Sequence, residues 1–203
     1  MTEQLLNVSR QPFDYQYLKG LLSGYRYPRN KISKLLKTGE IIALKSGLYV
    51  LSERFGRDLV PEVVANLLYG PSYVSLDYAL ASYGLIPELA FQVTSVTTGR
   101  RKAFETAVGT FSYQQLKPEY YSLGYQARES GDTSYLIATP EKALCDKLYF
   151  ASPLEDAATL ERHLFADLRI DFARLRGLDR KLISRLAGLA GKRNLKLLKE
   201  LTQ

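Results

Sequence analysis

The stretch YRYPRNKISKLLKTGEIIALKSGLYVL, residues 25–51, constrains this chain more than any other. Pro28 suits the first turn of a helix and Gly39 suits its stop, so the spacing predicts a helix between them. Projected at about 100° per residue, Ile32, Leu35 and Leu36 gather on one side. Asn30, Ser33, Lys34 and Lys37 gather on the other, with Arg29 and Lys31 at the flanks. Two β-rich runs follow, residues 41–44 and 48–51, joined by Lys45-Ser46-Gly47. Upstream, Asp14 can cap a first helix whose buried stripe is Tyr15, Leu18, Leu21 and Leu22, with Phe13 as a hydrophobic staple on Leu18. Gly24 ends that helix. Helix, turn, helix and two-strand wing together describe a winged helix-turn-helix over residues 1–54. Residues 1–11 are too short and too poor in apolar periodicity to supply a further helix ahead of Phe13.

No acid stands between Asp14 and Glu40, while Arg26, Arg29, Lys31, Lys34 and Lys37 fall within one short span. A helix that reads duplex DNA needs this division. Its apolar side seats on the domain, and its long donors reach phosphates and base edges in the major groove. Asn30, Ser33, Lys34 and Lys37 are therefore candidates for base edges, and Arg26, Arg29, Lys31 and Lys45 for phosphates. Lys45, at the wing tip, is placed for an adjacent phosphate or the minor groove. The bland alternative is a solvated basic helix; the hairpin directly behind it favours the first reading.

The net charge of +7 is unevenly spread. Residues 1–54 carry nine Lys/Arg against four Asp/Glu, residues 55–154 eight against ten, and residues 155–203 eleven against seven. A basic excess at both ends points to a polyanionic partner. No run approaches the ~18 apolar residues of a membrane span, and the first eleven residues lack a signal-peptide core. With Cys145 alone no internal disulfide can form, as expected of a cytoplasmic chain.

Residues 52–58 (SERFGRD) read as a polar linker to a larger unit over residues 59–203. There the patterning predicts helices at 59–68, 75–83 with Ser75 as cap, and 139–150 with Thr139-Pro140-Glu141 as its start. Strands are expected at 91–97, 109–113 and 135–138, an extended segment at 117–125, and helices at about 155–164, 171–175, 180–190 and 194–201. The fold class is α+β, with the larger domain ending in helices. GRRK, residues 99–102, lacks the spacing of a phosphate loop and reads as a basic hairpin tip, with nucleic-acid contact one of two readings. Arg174, Arg176, Arg180, Lys181, Arg185, Lys192, Arg193, Lys196 and Lys199 are interleaved with leucines at helical spacing, as solvated faces of packed helices are; a second nucleic-acid or acidic-partner surface is the minority reading.

Catalysis is not expected. One histidine (His163) and one cysteine exclude His/Cys metal clusters and make a nucleophile relay improbable. Cys145 lies between Leu144 and Leu148, as a core residue would. The acid-x-Lys triplet Asp179-Arg180-Lys181 sits at a helix start, where a nuclease would need a strand. No catalytic, metal or cofactor residues are assigned.

Four strings, KISKLLKTGEIIALKSGLYVL, SYVSLDYALASYGLIPE, VTSVTTGRRKAFETAVGTFSY and IATPEKALCDKLY, together with their order, resemble the AbiEi antitoxins of type IV toxin–antitoxin systems. The likeness spans nearly the whole chain, whose amino-terminal segment is shorter than in fuller family members. It implies a winged helix-turn-helix that represses its own operon at an operator with inverted repeats. It also implies a larger domain that counters a nucleotidyltransferase toxin encoded alongside. A reading from another class is a stand-alone winged-helix transcription factor whose second domain senses a small ligand.

Overall fold

A computed structural model describes residues 11–52 and 59–202. Residues 1–10, where no further helix was expected, and most of the polar linker therefore lie outside the described residues.

The smaller unit begins with strand β1 (Phe13–Asp14). Asp14 then caps helix α1 (Tyr15–Leu21), its carboxylate accepting from the Tyr17 amide at 2.7 Å. The cap is the expected one, and Phe13, at the staple position, shares a core with Leu18 while also pairing antiparallel with Tyr49. Helix α2 (Pro28–Lys37) buries Ile32 and Leu35. It ends where Gly39 turns left-handed at φ +66°. The Gly39 amide then returns to the Leu36 carbonyl and the Glu40 amide to the Leu35 carbonyl, which satisfies two orphan carbonyls of the last turn. Strands β2 (Ile41–Lys45) and β3 (Leu48–Leu51) form the wing, and β1 completes a sheet of order β1-β3-β2.

The wing hairpin is a wall shared by two cores. All four residues of β3 are buried. Because strand side chains alternate in direction, Tyr49 and Leu51 join Phe13, Leu18, Leu22, Ile32, Leu35 and Ile41 in the small core. Leu48 and Val50, with Leu44 from β2, belong to the large core instead.

The larger unit is built on a six-stranded mixed sheet. In chain order its elements are α3 (Pro61–Leu68), β4 (Ser72–Val74), α4 (Leu76–Ser82), β5 (Gln92–Thr97), β6 (Lys102–Thr106), β7 (Gly109–Gln115) and α5 (Pro118–Tyr121). Next come β8 (Tyr125–Ser130), β9 (Thr133–Ala138) and α6 (Pro140–Phe150). Helix α7 (Ala157–Arg162) continues into a π turn at His163–Asp167, before α8 (Phe172–Arg176), α9 (Arg180–Ala190) and α10 (Arg193–Leu201). Sheet order is β6-β7-β5-β4-β9-β8, with β4 parallel to β9 and β5 parallel to β7. Every residue of central β4 is buried, so both faces of the sheet are covered there. The carboxy-terminal helices pack on α6. The α+β class, with helices at the end of the chain, is as the patterning implied.

Three expectations fail in instructive ways. The extended segment at 117–125 is broken by α5, where Pro118 opens a short helical turn that buries Tyr120 and Tyr121. GRRK is not a hairpin tip, because β5 and β6 are not neighbours. The chain crosses from β5 to edge strand β6 there, and the hairpin lies at residues 106–109. Ser75 occupies the cap position of α4 but does not cap it. Thr94 of β5 does so, its hydroxyl oxygen accepting from the Tyr78 amide at 3.1 Å while the hydroxyl donates to the Ser75 carbonyl at 2.6 Å. The Ser75 hydroxyl is thereby free to turn inward.

Candidate nucleic-acid interface

Helix α2 divides as its sequence implies. Ile32 and Leu35 are buried and Leu36 is half-buried, whereas Asn30, Ser33, Lys34 and Lys37 are all exposed. Arg26 and Arg29 are exposed and Lys31 is half-buried. Aromatic groups shape the cations near the helix start. Arg26 lies 5.3 Å from the ring centre of Tyr27, Lys31 lies 5.2 Å from that of Tyr25, and the Arg29 guanidinium donates to the Tyr15 hydroxyl at 3.2 Å. Lys34 and Lys37 stand in the last turn, where positive charge complements the helix dipole.

The nearby acids do not neutralise this face. Asp14 is committed to the α1 cap, and Glu40 accepts from the Thr38 hydroxyl at 2.9 Å. Among the described residues no ion pair involves Arg26, Arg29, Lys31, Lys34 or Lys37. Between α2 and the wing turn runs an open groove of about 420 Å³, lined in part by Arg29, Ser33, Ser46 and Gly47. The Gly47 carbonyl accepts from the Tyr15 amide at 3.0 Å, which ties the wing turn to the start of α1. The basic face of α2 thus lies beside the groove and the wing turn.

Lys45 departs from its expected place. Its ammonium donates to the carbonyls of Leu67 and Leu68 at 3.0 and 2.8 Å, holding the carboxy-terminal end of α3. A cation set on two orphan carbonyls and the negative end of a helix is a structural tie between the units, not a free wing-tip contact. No local signal could have shown this, since the partners stand more than twenty residues away in the chain.

The larger unit holds a buried polar cluster that sequence reasoning missed. Lys142 and Asp146, one turn apart on α6, are both fully buried and approach to 3.0 Å as an ion pair without hydrogen-bond alignment. The other Asp146 oxygen accepts from Ser75 at 2.7 Å and Tyr73 at 3.2 Å, and Lys142 donates to the Tyr120 carbonyl at 2.8 Å. Burial pushes the Asp146 carboxyl above, and the Lys142 ammonium below, their ordinary ranges. The grouping has the residue types of a catalytic site, but Tyr73, Ser75, Lys142 and Asp146 expose none of their surface. The cluster is sealed from solvent and joins β4, α4, α5 and α6. Cys145 is core, with its thiol pushed up by burial, and His163 contacts Asp167 at 2.9 Å. Asp179 caps α9 through the Lys181 and Leu182 amides. Among the described residues no three His, Cys, Asp or Glu side chains could hold a metal, and no helix is long and apolar enough to cross a membrane.

Neither a protein-family model nor a curated protein matches the chain.

Proposed function

We propose that this protein is a DNA-binding antitoxin of the type IV kind, repressing its own operon and counteracting a nucleotidyltransferase toxin. The observation that carries the DNA-binding half is the unneutralised outer face of α2, held beside a two-strand wing with its apolar face sunk in the small core. The antitoxin half is supported by the ordered resemblance of four sequence strings to AbiEi proteins. In this reading Lys34, Lys37, Asn30 and Ser33 approach base edges, while Arg26, Arg29 and Lys31 grip phosphates. Protection from the toxin belongs to the larger unit and involves no chemistry by the antitoxin itself.

The test has two arms. A duplex from the DNA preceding the protein's own coding sequence should be retarded by the wild type and not by Lys34→Ala/Lys37→Ala, with circular dichroism unchanged. Footprinting should show inverted repeats. Co-expression with the neighbouring gene should rescue growth if that gene encodes the toxin. Unaltered binding by the double variant would move the DNA site elsewhere, and failure of rescue would remove the antitoxin role.

A second reading, a ligand-sensing transcription factor, has its own observation. A cavity of about 540 Å³ opens among the last helices, where Phe165, Phe172 and Leu175 meet Arg176. DNA binding that responds to a small molecule, together with failure of rescue, would favour it.

A further inference from the structure

Several irregular features of the larger unit gather around one cavity. About 440 Å³ in volume, it opens between α4, α6 and the π turn, lined in part by Leu76, Asp77, Lys147, Phe150, Leu154 and His163. Leu76 holds left-handed backbone at φ +59°, which is unfavourable for a residue with a side chain. Strain of this kind clusters at ligand sites, because the surrounding structure must be built to hold it. The next residue, Asp77, is the acid among the lining side chains, and the Lys147 ammonium reaches its two oxygens at 2.7 and 2.9 Å. The π turn at His163–Asp167 is a second irregularity that recurs at functional sites. His163 opens that turn. Its Nδ1 lies 2.9 Å from Asp167, and its Nε2 is buried without a hydrogen-bond partner among the described residues.

One wall of the cavity is held from behind. The buried Asn194 sets its side-chain nitrogen 3.1, 3.3 and 3.0 Å from the carbonyls of Leu148, Ala151 and Ser152. Its side-chain oxygen accepts from the Leu154 amide at 2.8 Å. On that wall Phe150 is exposed and Leu154 half-buried, so apolar surface is left for an occupant. The charges are balanced, one carboxylate against one ammonium. A dianion would meet Asp77 at close range, and a wholly apolar molecule would strip water from both charges and give nothing back. The arrangement complements a molecule with one charge of each sign beside an apolar tail. Its carboxylate joins Lys147 and its ammonium joins Asp77, in an alternating ring of charges. The Asp77–Lys147 pair is partly exposed, and such pairs contribute little, so opening it to admit a ligand costs little. With Nδ1–H given to the Asp167 carboxylate, Nε2 of the neutral imidazole is an acceptor, which an ammonium also satisfies.

We infer that this cavity binds a small zwitterion with an apolar side chain, the chemistry of a hydrophobic α-amino acid. Lys147 holds the carboxylate, Asp77 and His163 take the ammonium, and Leu76, Phe150 and Leu154 receive the side chain. The volume lies in the range of small-molecule sites. The cavity shares no lining residue with the groove beside α2 or with the cavity among the last helices. The inference therefore stands or falls independently of the DNA-binding and antitoxin readings.

The test is a calorimetric titration of the untagged full chain with L-phenylalanine and L-leucine as probes. At least one should bind saturably and raise the thermal midpoint. Hydrocinnamate and phenethylamine keep the ring of the first probe but only one of its charges. Each should bind about tenfold or more weakly than L-phenylalanine, the loss expected for one charge-assisted hydrogen bond. Asp77→Asn and Lys147→Met should each weaken the probe by a similar factor, with circular dichroism unchanged. His163 is the only histidine of the chain, so its ring signals in proton magnetic resonance report on this site and should move as the probe saturates. Absence of saturable binding by both amino acids overturns the inference. So does wild-type affinity in both charge variants, or equal binding of the single-charge analogues. A His163 signal that stays fixed at saturation overturns it as well, because the occupant then sits elsewhere.

Discussion

Lys142 and Asp146 show what a single side chain can decide in this protein. An isolated buried charge is far costlier than a buried pair, so removing one partner leaves the other uncompensated. Lys142→Met keeps most of the volume and the helix propensity but strips Asp146 of its cation. We expect a loss of about 3–5 kcal/mol in urea unfolding at neutral pH, the range for breaking a buried pair. The sign of the pH response follows from the direction of the shift. Burial already raises the Asp146 pKa in the folded state, and loss of Lys142 raises it further. The folded variant then binds a proton that the unfolded chain has released, so its stability should recover as pH falls toward the ordinary carboxylate range. Urea midpoints of wild type and variant should converge on acidification; parallel curves would show that Asp146 is not the group left stranded. Only the Lys142–Asp146 spacing, one turn on α6, is local; Tyr73, Ser75 and Tyr120 come from β4, the start of α4 and α5, so their part in the cluster was not legible in the sequence.

At the scale of elements, local chemistry made some boundaries legible and left others dark. Thr139-Pro140-Glu141 marked the start of α6 because cap, first-turn proline and acid all act within one turn: Thr139 accepts from the Lys142 amide at 3.3 Å. Gly39 marked the end of α2 for the same reason. No heavy atom lies within 4 Å of where a Cβ at Gly39 would stand, so a substitution there meets conformational strain alone. Gly39→Ala should therefore cost about 1–2 kcal/mol, the penalty for a side chain in left-handed backbone. It should shift the thermal midpoint and leave DNA affinity per folded molecule unchanged; a change in affinity would mean that the α2–wing junction moves. Strands β4, β6 and β8 had no comparable signature. The first is only three residues long, and the other two are polar edge strands whose register comes from distant partners. The outer face of α2 was readable because it follows helical period; the tie between Lys45 and α3 was not, because it is a contact between units.

For the whole molecule, the shared hairpin changes how the two proposed activities can be separated. A polar linker suggests that residues 59–203 would stand alone. In the folded chain, however, Leu44, Leu48 and Val50 of the wing lie at 6%, 6% and 0% exposure within the larger core. Removing residues 1–58 uncovers the surface that these side chains seal, and it also strips α3 of the Lys45 ammonium at its carboxy-terminal end. Burial of each aliphatic side chain contributes about 1.5–3 kcal/mol, and three of them approach the total stability of many domains, which is about 5–15 kcal/mol. The fragment should consequently unfold at a clearly lower urea midpoint and bind a dye specific for exposed apolar surface. Lys34→Ala/Lys37→Ala in the full chain should stay close to the wild-type midpoint, because both side chains are exposed, neither has an ion-pair partner among the described residues, and the higher helix propensity of alanine offsets the lost dipole term. The full-length variant is therefore the sound test of whether protection depends on DNA binding. We expect it to rescue growth beside the toxin without binding the operator, while the fragment protects weakly in proportion to its folded population. A fragment as stable as the whole chain would show that the wing is only lodged against the larger core and not part of it. Loss of rescue in the stable full-length variant would show instead that protection runs through repression.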